Sequence, residues 1–137
     1  MKRSSSDIKR LIRAQQAMAA MARVEHAVAA DALVAKSGEI ASLERWAAEP
    51  DARALPLLDF YVERARGLAA EKAMLAAREK SARERLVGET ARVKPLERAA
   101  ARARQAEERT ATEKQFEELL DRQFSAPNQV SRKPRRP

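Results

Sequence analysis

A chain of 137 residues has room for one domain, and with no Cys it can build neither a disulfide scaffold nor a thiolate metal site. Ala dominates the 45% apolar fraction, only five residues are aromatic and Gly numbers three, which disfavours a sheet and matches long helices and coiled coils. The net charge of +8 points to an acidic partner (nucleic acid, anionic lipid or an acidic protein surface) or to an Arg-rich coiled coil whose charges are simply solvated.

Residues 1–7 form a short polar lead with no apolar segment behind Met1-Lys2-Arg3. No stretch approaches the roughly 20 apolar residues of a membrane span. The expectation is a cytoplasmic, unprocessed protein. Ser6 or Asp7 can cap a helix start by accepting from free N–H groups of the next turn. The first helix is predicted over about 7–48, on apolar positions Ile8, Leu11, Ile12, Met18, Met21, Ala22, Val24, Val28, Leu33, Ile40 and Leu43. Gln15 and Gln16 interrupt this stripe, and Ser37-Gly38 is a weak point of roughly 1 kcal/mol. Glu49-Pro50-Asp51 ends the helix and opens a turn over 49–55.

Pro56 suits the first turn of a second helix, predicted over about 56–124. Taking Leu58 as position a of a heptad, the a positions are Leu58, Ala65, Lys72, Glu79, Leu86, Val93 and Ala100. The d positions are Tyr61, Leu68, Leu75, Ala82, Glu89, Leu96 and Ala103. Eleven of these fourteen are apolar, well above the 45% of the whole chain, so the segment reads as a coiled-coil seam. Glu79 and Glu89 in that seam set register. Pro95 removes one backbone hydrogen bond and predicts a kink or break near 92–94. After Ala103 the register slips, and Phe116, Leu119, Leu120 and Phe124 resume in a new phase.

These elements predict an all-α fold: an elongated antiparallel two-helix coiled-coil hairpin over 1–124, its second helix longer and kinked near Pro95. Folding about residues 50–54 places Ile8 opposite roughly residue 95 and leaves 96–124 overhanging. From Ser125 onward three prolines and four basic residues predict a disordered basic tail over 125–137.

Chemistry is sparse. His26 is the sole His and reads as structural. The three Gly are isolated and make no phosphate loop. Adjacent carboxylates at Glu107-Glu108 and Glu117-Glu118 point apart on a helix. The expectation is a non-enzymatic protein without cofactor or metal. Between Arg78 and Arg104 nine residues are basic and four acidic, whereas 105–121 holds two basic and six acidic. Arg83, Arg85, Arg92, Lys94, Arg98, Arg102 and Arg104 form a basic belt. It could track a nucleic-acid backbone, but the interspersed Glu and the absence of a reader motif favour a solvated face. Trp46, Phe60 and Tyr61 flank the turn, either packing on one another or facing outward as a binding anchor.

A basic lead, a helix of about forty residues, a brief turn, a longer Glu/Arg/Ala-rich helix and a Lys/Arg/Pro tail resemble the FliJ/YscO family. The likeness is carried by Leu58-Asp59-Phe60-Tyr61-Val62 with Leu68, and by the segment from Glu113 to Asp121. Members are stalk proteins of flagellar and type III export ATPases. The resemblance implies protein partners: the export ATPase, the cytoplasmic domain of the export gate, and chaperones. It also implies a place at the cytoplasmic face of the inner membrane, peripheral and not inserted. Tyr61, Ala65 and Leu68 match the family's gate-contacting spacing, Lys72 continues it, and Trp46 and Phe60 complete the tip. A generic coiled-coil adaptor, or a homodimer through residues 96–124, is the competing reading.

Overall fold

The computed structural model describes residues 3–49 and 55–131, with side chains given for 3–49 and 57–125. All the described elements are α-helices: α1 (Ser5–Ala47), α2 (Leu55–Ala91) and α3 (Val93–Ser131). Their 43, 37 and 39 residues correspond to lengths of roughly 55–65 Å each. The predicted turn falls on 50–54, outside the described residues.

Ser4 caps α1. Its hydroxyl accepts from the Asp7 N–H at 3.2 Å, and its carbonyl accepts from the Ile8 N–H at 3.1 Å. The helix therefore starts two residues before the predicted position. The sequence Ser4-Ser5-Ser6-Asp7 offers several caps, and the one used leaves Asp7 in the first turn, where negative charge is favoured. α1 runs unbroken through Ser37-Gly38 and ends at Ala47.

The break near Pro95 is present. α2 stops at Ala91, Arg92 is a turn residue, and α3 begins at Val93. The cause is local, since Pro95 has no N–H to give to the Ala91 carbonyl. α3 then continues through Pro127 to Ser131. Residues 125–131 of the predicted basic tail thus fall within this helix. Residues 132–137 of the predicted tail lie outside the described residues.

The chain divides into two units: Met1–Ile12 with Pro95–Pro137, and Arg13–Lys94. In the second unit, Gln15 meets Glu89, His26 meets Glu79, Lys36 meets Glu71 and Trp46 meets Phe60. One partner's number rises as the other's falls. In the first unit, both Ser5 polar groups donate to Glu107: the N–H to Oε1 at 2.8 Å and the hydroxyl to Oε2 at 2.7 Å. Ser5 thus reaches residue 107, past the roughly residue 98 that the expected register of Ile8 opposite 95 gives it, because a long carboxylate side chain is drawn to the free N–H of a helix N-terminus.

Burial follows the predicted second-helix heptad closely. Twelve of its fourteen positions are buried or half-buried, the exceptions being Leu58 and Lys72. On α1 the pattern differs from expectation. The inward positions recur at alternating steps of three and four: Ser5, Ile8, Ile12, Gln15, Ala19, Ala22, His26 and on to Leu43. Gln15 therefore lies in the seam it was expected to interrupt, while Leu11, Met18, Met21, Val24 and Val28 are exposed. The reason is size. Ala19 and Ala22 allow the backbones to approach closely, and large side chains are displaced from the narrow gap. Among the described residues the buried apolar set is only Ile8, Ala19, Ala22 and Leu68. Burying one Leu contributes about 1.5–3 kcal/mol and an Ala much less, so the polar ties decide which residues face each other.

Candidate interaction surfaces

Around the α1 end and the α2 start, Trp46 and Phe60 pack edge to face, with ring centroids 6.2 Å apart and planes at 82°. Trp46 is half-buried by this contact, and Phe60 keeps 57% of its surface exposed. The two alternatives for these aromatics coexist in Phe60, which packs on Trp46 and still faces outward. Exposed Leu57, one turn back, shares its side of α2, while exposed Leu58 and Val62 lie on the opposite side.

The residues matched to a gate-contacting face lie differently. Leu68 is 2% exposed, the largest fully buried side chain among the described residues, and Tyr61 and Ala65 are half-buried toward the same seam. These three hold the helices together and offer little to an outside partner. The reason is geometric: a stripe spaced at 3 and 4 on a paired helix is the stripe its own partner helix covers. Lys72 is exposed, and its neighbour Glu71 turns in instead. Glu71 meets Lys36 Nζ at 2.7 Å, and Lys36 also donates to Glu39 at 3.1 Å, with Arg64 3.7 Å from Glu39. The hydrogen bond from Lys36 lowers the Glu71 pKa from its usual range, and the Glu71 carboxylate, then that of Glu39, raises that of Lys36.

The basic belt is largely neutralised in the second unit. Arg83 pairs with Glu79 at 3.3 Å, Arg85 with Glu25 at 3.0 Å and Arg92 with Glu89 at 3.5 Å, while Lys94 is exposed. In the first unit Arg98, Arg102 and Arg104 are exposed. Arg102 borders a groove of about 790 Å³ floored by Ile8, Ala99, Ala103 and Ala106. Its rim includes Glu107, whose pKa is lowered by the hydrogen bonds it accepts from the Ser5 hydroxyl and N–H.

His26 places Nε2 3.0 Å from Glu79 Oε1, a pairing that sequence spacing could not reveal because the two residues sit on different helices. Among the described residues no group of His, Cys, Asp or Glu gathers to hold a metal, and no helix is long and apolar enough to cross a membrane. Sequence reasoning missed Leu57, Val62 and the outer face of α1. Leu57 and Val62 carried a signal as large apolar residues outside the a and d positions, whereas the outer face of α1 carried none, since its apolar residues read as the seam itself. No known protein family, curated protein or solved structure matches this chain.

Proposed function

We propose that this chain is a non-enzymatic interaction protein that works by helix–helix contact, with an antiparallel two-helix coiled coil as its scaffold. The observation that carries this reading is the run of opposed partners from Trp46–Phe60 to Gln15–Glu89, together with burial recurring at heptad spacing on both helices. A scaffold that buries so few apolar side chains and leaves Phe60, Met21, Val24 and Val28 exposed is suited to presenting helix faces to other proteins.

The FliJ-like composition and layout support a more specific role: a stalk protein of a flagellar or type III export apparatus, contacting the export ATPase, the export gate and chaperones at the cytoplasmic membrane face. In this reading the contact at the α1–α2 end runs through Leu57 and Phe60, which are exposed on one side of α2, rather than through buried Leu68. The ion pairs of Arg83, Arg85 and Arg92 weigh against a nucleic-acid role, because phosphate contacts need cations free to displace counterions.

The test is co-purification of the full chain with the export ATPase and the cytoplasmic gate domain of its own organism, at low and moderate salt. Binding that survives moderate salt and is lost in Leu57→Ala/Phe60→Ala supports the export role. Absence of binding to both proteins rejects that role and leaves the helix-contact scaffold to be matched with another partner.

A further inference from the structure

The outer part of α3 has no cover within its own unit. Every residue from Arg104 to Leu119 is exposed, including Phe116 at 61% and Leu119 at 55%. A helical segment of this length is marginal in water unless an apolar face is packed. A short apolar patch, Phe116 and Leu119, is present on one side of it. Gln105, Arg109, Thr112, Phe116, Leu119 and Gln123 recur at steps of four and three, which places them on one stripe of the helix. A shallow groove already follows the first part of that stripe, bordered by Gln105, Glu108, Arg109, Thr112 and Glu113.

Charge defines what could lie in it. The segment 105–121 has six acidic and two basic residues, a local net charge of −4 in a chain of net charge +8. Glu113 and Glu117 flank Phe116 on one side, and Glu118 borders Leu119 on the other, at angles set by 100° per residue. No described residue forms an ion pair with Glu113, Glu117, Glu118 or Asp121. Glu118 and Arg122, four residues apart, form no ion pair, whereas Glu79 and Arg83 at the same spacing do.

We propose that this stripe of α3 is a docking surface for a basic amphipathic helix of a partner protein. The apolar side of such a helix packs on Phe116 and Leu119, and its Lys or Arg residues meet the flanking carboxylates. A second copy of the same segment would set −4 against −4 and is disfavoured by repulsion. An anionic membrane or nucleic acid is repelled for the same reason. The surface is separate from the Phe60 region and does not depend on the export reading.

The probe is a fluorescein-labelled peptide of about 20 residues, long enough to form a helix on binding, with Leu at a and d positions and Lys elsewhere. Two controls replace Lys by Glu, or Leu by Ser. Anisotropy with the full chain should give saturable binding of the Leu/Lys peptide alone. Phe116→Ala/Leu119→Ala should weaken it about ten-fold or more, as loss of a central anchor does. Glu113→Lys/Glu117→Lys, which keeps the apolar stripe and helix propensity, should weaken it comparably, and circular dichroism checks that α3 persists in both variants. Met18→Ala/Met21→Ala on α1 should change nothing. No saturable binding, equal binding of either control peptide, or binding unchanged in both α3 variants overturns the proposal. A doubled molar mass of the chain that reverts in Phe116→Ala/Leu119→Ala also overturns it, assigning the stripe to a second copy.

Discussion

The Gln15 side-chain amide donates to both the main-chain carbonyl and the carboxylate of Glu89, and each residue is only 8% exposed. The carbonyl lies in the last turn of α2, two residues before the helix stops, where backbone acceptors lack regular partners. One side chain therefore satisfies a helix end and neutralises part of the cost of a buried carboxylate, leaving Arg92 to approach the other oxygen at 3.5 Å. With Glu79–His26 and Glu71–Lys36, it forms a series of polar ties along the seam.

Gln15→Ala should destabilise the chain by about 1–3 kcal/mol, because it leaves buried acceptors unpaired. Gln15→Leu/Glu89→Leu should recover most of that loss, since the carboxylate's desolvation cost goes with it and only the main-chain carbonyl of residue 89 still lacks the amide. Urea unfolding of the three proteins checks this. A double variant as damaged as the single one would mean that the tie itself, rather than its broken remainder, carries the stability.

Pro95→Ala should restore the hydrogen bond to the Ala91 carbonyl and join α2 to α3 across Arg92. The expected gain is about 1–3 kcal/mol, bounded by the usual penalty for an interior proline. Circular dichroism at 222 nm and urea unfolding report it. A loss of stability would show that the break is required by the packing on either side.

Leu68→Ala should lower stability by about 2–5 kcal/mol, the range for emptying a fully packed leucine site. Phe60→Ala, at a side chain 57% exposed, should cost less than half as much. Thermal unfolding separates them. Equal losses would place Phe60 in the stabilising core and remove it from the candidate contact surface.

Acid should weaken two ties, those of Glu107 and Glu71. Glu107 and Glu71 both have pKa values lowered from 4.5, through hydrogen bonds from Ser5 and Lys36 respectively. A depressed folded-state pKa contributes stability that is present in full above 4.5 and is lost as pH falls through the lower folded value. The raised pKa of Lys36 works in the opposite direction: its contribution holds below 10.5 and fades as pH rises beyond it. Stability against pH should fall more gently at the acid end for Glu107→Gln than for wild type. A parallel curve would show that the Ser5 contact adds nothing in solution.

Much of this protein was legible in the residues alone. Scarce Gly and β-branched residues left helix as the state the backbone could hold. Pro95 marked its own break, since the missing N–H is a covalent property of one residue. The heptad from Ala65 to Ala103 showed which side of the second helix is inward, with Leu58 and Lys72 as the departures. The first helix was harder, because hydrophobicity alone favoured Met18, Met21 and Val24 over Gln15 and Ala19. Only a facing helix made small size and hydrogen-bonding reach outrank apolar bulk, drawing Gln15 into the seam and turning the methionines outward. The same holds for Leu68: spacing put Tyr61, Ala65 and Leu68 on one stripe, and tertiary pairing decided that the stripe is covered. A sequence carries local periodicity and charge, but which face becomes interior depends on the neighbour packed against it.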